Sequence, residues 1–108
     1  MEVTIKLFLM RLAYAEPEME IAPETCFHPQ EQQAMEQYMK NLEGSTQKQK
    51  NTYSKKDLKR YVWVIARLGG WKGYESNRHP GITTLWIGLK RFKDIMQAYN
   101  TFKDVSTR

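Results

Sequence analysis

Apolar residues recur along this chain mostly at helical spacing. Ile5, Phe8, Leu9 and Leu12 stand at i, i+3, i+4 and i+7, which predicts an amphipathic helix. The opening Val3-Thr4-Ile5-Lys6-Leu7 also alternates as a strand does. Pro17 closes the segment, because proline disfavours helical geometry in the residue before it. Residues 16–27 carry Pro17, Pro23 and four glutamates, and read as an extended connector with solvated carboxylates.

His28-Pro29 opens a second helix, since the first helical turn has N–H groups without partners and tolerates proline. Glu31 suits the positive end of its dipole. Met35, Tyr38, Met39 and Leu42 form the apolar stripe, and Gly44 is a plausible stop. Residues 44–54 are Gly, Ser, Thr, Gln, Lys and Asn with one Tyr, which predicts a flexible basic loop.

Ser54 with Asp57 three residues on resembles a capping box. Leu58, Tyr61, Val62, Trp63, Val64, Ile65, Ala66 and Leu68 follow. Apolar residues lie almost all round that helix, so it belongs at the centre. Gly69-Gly70 ends it, because glycine accepts the left-handed geometry of a helix C-terminus.

A loop over 71–82 leads to Thr83 or Thr84 as the cap of a last, longest helix, running to about Phe102. Leu85, Leu89, Phe92, Met96 and Tyr99 alternate spacings of four and three, a heptad-like seam widened by Trp86, Ile95 and Phe102. Gly88 inside it costs about 1 kcal/mol relative to alanine. Close packing of Trp71 or of the central helix over the missing side chain would offset that. The pattern predicts an all-α fold: a small four-helix domain with the long C-terminal amphipathic helix packed antiparallel on the apolar central helix.

The 108 residues make a single domain. The one cysteine, Cys26, excludes an intrachain disulfide and a Cys-rich zinc site. No membrane span is expected: the longest apolar stretch, Val3 to Ala15, is broken by Lys6 and Arg11 and falls short of about 20 residues.

Charge is divided unevenly. Residues 1–47 hold three Lys/Arg against eight Glu, net −5, and residues 48–108 hold 14 Lys/Arg against four Asp/Glu, net +10. Lys48, Lys50, Lys55, Lys56, Lys59 and Arg60 cluster, with Arg67, Lys72 and Arg78 nearby. They are candidates for weak, non-specific phosphate contact. The plainer reading is a solvated face attracted to the acidic front.

Catalytic and cofactor constellations are missing. His28 and His79 are far apart without ligand-like neighbours, and Glu16, Glu18, Glu20 and Glu24 alternate in a connector. Cys26 has no basic partner nearby in sequence. Gly69-Gly70-Trp71 follows a helix and lacks a spaced third glycine, unlike a phosphate-binding loop. Neither a cofactor nor a small-molecule ligand is expected.

Ile65-Ala66-Arg67-Leu68-Gly69-Gly70-Trp71, then Pro80-Gly81, then Leu85-Trp86-Ile87-Gly88-Leu89 resembles the C-terminal domain of bacterial cut-and-paste transposases of the transposon-five and insertion-sequence-four kind. The likeness is specific over about residues 58–103. Over 1–57 only the order of features agrees: an apolar-Arg-Leu run at Met10-Arg11-Leu12, then Pro29-Gln30-Glu31, then a basic loop.

The resemblance implies a bacterial, cytoplasmic protein, acting on the nucleoid, and a domain that joins two transposase molecules into a synaptic complex. Cleavage would belong to a ribonuclease-H-like core with three carboxylates and divalent metal. The family's catalytic signature places Arg three residues after a Tyr. Here the residues at that spacing are Pro17, Asn41, Lys56, Val64, Asn77 and Phe102. The chain therefore reads as the non-catalytic domain alone, without the N-terminal DNA-recognition part.

Periodicity alone favours packing of the last helix's whole stripe against the central helix. With the resemblance, Phe92, Met96, Tyr99 and Phe102 become candidates for a two-fold homodimer contact, with Trp86 and Leu89 nearer the domain's own core. A different class of function, a small basic DNA-binding regulator of helix-turn-helix type, would need an exposed recognition helix. The central helix looks too apolar for that.

Overall fold

The computed structural model describes residues 2–16, 18–43, 51, 53–71 and 80–106, the side chains of Tyr99 and residues 102–106 apart. Four α-helices and one 3-10 turn make up the ordered architecture, with no strand among the described residues. Helix α1 spans Val3–Ala15, the 3-10 turn Pro23–Thr25, α2 Pro29–Leu42, α3 Leu58–Leu68 and α4 Ile82–Ser106. The all-α reading holds, and the ambiguous opening segment is helical.

Capping accounts for most helix starts. The Glu2 carboxylate accepts from Thr4 N–H at 3.1 Å and opens α1. Glu31 reaches back to accept from His28 N–H at 2.9 Å, with Pro29 at the first helical position. Helix α3 starts one turn later than Ser54 suggests. Asp57 is its cap, accepting from Lys59 N–H at 3.0 Å, while Ser54 Oγ accepts from Lys56 N–H at 3.1 Å in a preceding turn. Helix α4 begins at Ile82, just before the threonines expected to cap it.

Helix α3 is the hub. Leu58, Tyr61 to Ala66 and Leu68 are buried, and α1, α2, α4 and the 3-10 turn all pack on it. Helix α2 contributes Met35 and Met39, flanked by half-buried Tyr38 and Leu42, the stripe its periodicity predicts. The acidic connector is not extended throughout, since Met19 N–H turns back to Glu16 C=O and Pro23–Thr25 forms the 3-10 turn, but its four glutamates are exposed as expected. Its backbone is nonetheless tied down: Ile21 C=O accepts from Leu58 N–H at 2.8 Å, and Met19 C=O accepts from Lys59 Nζ at 3.2 Å.

Helix α1 corrects the sequence reading. Leu7, Met10, Ala13 and Tyr14 face the core, whereas Ile5 and Phe8 are exposed and Leu9 and Leu12 half-buried. Leu7, Met10 and Tyr14 are themselves spaced i, i+3 and i+7, so the helix is apolar on two faces. Spacing alone does not choose between them. Aromatic packing favours the observed face: the Tyr14 ring meets Trp71 edge-on at 5.7 Å and Tyr53 at 5.8 Å.

Candidate functional site

The long helix is set by a backbone-close crossing with α3. Gly88 of α4 lies against the Ile65 carbonyl, and Gly69 lies against the Thr84 carbonyl. A Cβ at either position would fall inside contact distance of backbone atoms. The central helix, rather than Trp71, thus occupies the space that Gly88 leaves open. Arg91 reinforces the pairing by donating to Leu68 C=O.

The end of α3 is a Schellman turn. Trp71 N–H bonds Ala66 C=O at 2.9 Å and Gly70 N–H bonds Arg67 C=O at 3.1 Å. Gly70 has φ +102°, the left-handed conformation this turn needs. The two adjacent glycines therefore answer different demands: Gly69 close approach, Gly70 backbone conformation. Arg67 stays near the turn, donating to Trp71 C=O at 3.1 Å and to Leu42 C=O at 2.8 Å. Pro80 is buried, and nothing in the structure explains Gly81.

Register then decides what α4 presents. With Gly88 beside Ile65 in an antiparallel pair, α4 reaches the level of Leu58 at about Ile95, one residue for one. Helix α4 is about 37 Å long and α3 about 16 Å. The turns after Met96 therefore run past the start of α3.

Leu85 and Phe92 are buried, while Leu89, Ile95 and Met96 are half-buried against the core. Phe92 was expected at an intermolecular contact, but its ring is only 3 % exposed and packs inside the chain. Trp86 was expected near the core and is instead 38 % exposed, with Lys90 Nζ 4.6 Å from its ring centre. Tyr99 and Phe102 follow on α4, their side chains outside the described ones.

The basic cluster is sorted by burial. Lys59 is buried, and its Nζ is 3.5 Å from Asp57 besides donating to Met19 C=O. Arg60 donates from Nε and Nη2 to both carboxylate oxygens of Glu36, at 2.6 and 2.7 Å, and from Nη1 to Tyr53 C=O at 2.8 Å. Both cations are thus engaged inside the domain. Lys55 and Lys56 are exposed; Lys48, Lys50, Lys72 and Arg78 lie outside the described residues.

Glu36 also accepts from the Tyr61 hydroxyl at 3.1 Å. Hydrogen bonding from Arg60 holds the Glu36 carboxyl below its ordinary value, despite partial burial. Burial, then the Glu36 charge, pushes the Tyr61 phenol up to about 12. Attraction between the acidic front and the basic back is realised in this bidentate pair. Net charge per half anticipates it only in general terms.

Asn51 is another anchor that composition misses. It is buried within the span expected to be a flexible loop, donates from its amide to Arg60 C=O at 2.8 Å, and accepts from Tyr53 N–H at 3.2 Å. Its own N–H bonds Glu43 at 2.7 Å. Residues 44–50 and 52 of that span lie outside the described ones.

Cys26 is buried and desolvation pushes its thiol up, which disfavours the nucleophilic thiolate. No group of three His, Cys, Asp or Glu among the described residues could hold a metal ion. No helix among them is long and apolar enough to cross a membrane.

What the geometry offers is a shape: a helical core with one long helix outrunning the central one. A family model described as the transposase Tn5 dimerisation domain matches residues 3–105. No curated protein and no solved structure matches. The match spans nearly the whole chain, and the chain belongs to the transposase Tn5 dimerisation domain family.

Proposed function

We propose that this dimerisation domain pairs two transposase molecules through the C-terminal half of α4, so that two active sites and two DNA ends meet in one synaptic complex. Met96, Tyr99 and Phe102 make the contact, and Phe92 anchors the helix from inside the core. The supporting observation is that α4 outruns α3 while its apolar seam continues along the outrun. A two-fold contact needs one self-complementary patch, which a crossed pair of such helices supplies.

The domain contributes geometry rather than chemistry. Divalent metal and carboxylates belong to a catalytic core elsewhere in the parent transposase, and this domain takes no cofactor of its own. Its setting is the bacterial cytoplasm. DNA contact, where it occurs, is non-specific and salt-sensitive, through exposed cations such as Lys55 and Lys56. A helix-turn-helix regulator draws little support: α3 is buried nearly all round and has no side to lay in a groove.

Light scattering on a size-exclusion column, over a range of concentrations, tests the pairing. A dimer is expected for this chain and a monomer of unchanged helical content for the Met96→Asp, Tyr99→Asp double variant. A dimer in both would contradict the assignment to α4.

A further inference from the structure

Gly88 and Gly69 hold α4 close to α3, but closeness does not by itself fix direction. At both points a glycine without a side chain meets a main-chain carbonyl. Helix axes swing about such a crossing more freely than interdigitated side-chain ridges would let them. Direction matters because the contact proposed above lies on a lever. At the helical rise Tyr99 is about 16 Å along α4 from Gly88. A swing of about 10° at the crossing would carry that part of the helix about 3 Å sideways. In a two-fold pair the partner helix swings as well, and the displacement doubles.

Arg91 supplies the missing restraint. By helical arithmetic it stands beside the line of Leu85, Gly88 and Phe92 that meets α3, not on it. In the antiparallel register that sets Gly88 beside Ile65, Arg91 is level with Val62. Its guanidinium reaches instead to the end of α3 and donates from Nη1 to Leu68 C=O. Long side chains on a helix lean towards its N-terminus, which in an antiparallel pair aims this one at the last turn of α3. Leu68 is the final residue of α3, so its carbonyl has no partner within the helix, and a cation is favoured there. The bond therefore runs diagonally across the helix pair, as a brace. Arg91 is exposed overall, so losing its charged head opens no void in the core.

We propose that Arg91 is a positioning residue for the two-fold contact. Through the Leu68 carbonyl it fixes the angle at which α4 leaves the core, and so sets where Met96 and the turns beyond it stand. The proposal rests on the α4 pairing and names the side chain that aims it. Loss of the brace weakens the dimer out of proportion to the stability of a single chain.

Light scattering over a concentration series on the parent chain, Arg91→Met, Arg91→Lys and Lys93→Met tests this. Lys93 is exposed on the same helix, and its replacement removes the same charge. Helical content and urea midpoints are taken at dilutions where each chain is monomeric. Arg91→Met should weaken dimerisation several-fold with its monomer midpoint and helical content kept. Arg91→Lys, which retains a donor, should recover part of the loss, and Lys93→Met should dimerise as the parent does. Undiminished dimerisation of Arg91→Met overturns the proposal; if Met96→Asp, Tyr99→Asp still abolishes the dimer, the α4 pairing stands. Equal weakening by Lys93→Met reduces the effect to charge and overturns it too. So does weakening matched by a fall in the monomer midpoint, which leaves Arg91 a stabilising role alone. A parent chain that is monomeric throughout overturns the pairing and this proposal together.

Discussion

Gly88 sits against the backbone carbonyl of Ile65, and that contact sets the register of the longest helix on the central one. Alanine there would gain about 1 kcal/mol in intrinsic helix propensity. It would also press a methyl group into main-chain atoms that have no rotamer to escape with. The carbonyl carbon of Ile65 would lie 2.8 Å from the new Cβ, and the helices must part. Overpacking of this kind costs about 1–3 kcal/mol, more than propensity returns. Gly88→Ala should therefore lower the urea midpoint, and an unchanged or raised midpoint would refute the close crossing.

Gly70 makes a different demand. Nothing lies near a Cβ built there, yet φ is +102°. Gly70→Ala should destabilise by about 1–2 kcal/mol through backbone conformation alone. Gly70→Asn should recover part of that, since asparagine tolerates the left-handed region. Thermal melts of the two variants beside the parent would read the order directly.

Glu36 and Tyr61 give the domain opposite pH limits. The Glu36 carboxyl titrates below its ordinary value near 4.5 because Arg60 hydrogen-bonds its charged form. Its contribution is present above the unfolded value and is lost as pH falls through the lowered one. The unfolding free energy should drop on acidification below about pH 5, and less steeply in Glu36→Gln. Tyr61, raised from 10 to about 12, works in the other direction. Its contribution is complete below the unfolded value and declines as pH rises from about 10 towards 12. Tyr61→Phe should flatten that alkaline slope. Denaturant titrations across pH would test both.

Arg60 and Lys55 separate structure from surface within one basic run. Arg60→Ala would strand a half-buried carboxylate and the Tyr53 carbonyl, costing about 2 kcal/mol. Lys55→Ala with Lys56→Ala removes only exposed charge and should change stability by no more than about 0.5 kcal/mol. If weak DNA binding exists, the lysine pair should reduce its salt dependence. Denaturation curves and DNA titrations at two salt concentrations distinguish the effects. Equal destabilisation by both variants would contradict the division.

Local signals were legible and pairwise ones were not. The all-round apolar character of α3, the glycine stop and the stripe of α2 each follow from spacing within one segment. The outward turn of Ile5 and Phe8 does not, because α1 carries two apolar faces and only Tyr14's partners on other segments choose between them. Burial of Lys59 and Asn51 and half-burial of Arg60 likewise depend on carbonyls and a carboxylate brought from residues 19, 36, 53 and 60. No run of lysines, arginines and asparagines announces that. The α4 seam reads the same whether it is core or contact. The outrun of α4 beside α3 supports the contact reading, and seeing it needs the crossing point.

The most direct test of the α4 pairing is cysteine cross-linking between copies along its outrun. Single cysteines at Met96, Gln97, Tyr99 and Thr101 would be compared by disulfide formation under mild oxidation, with buried Cys26 left in place. Linkage concentrated at 96 and 99, and weak at 97 and 101 on the opposite side of the helix, is the expected result. Linkage strongest at 97 and 101, or absent at all four positions in a dimeric protein, would contradict it.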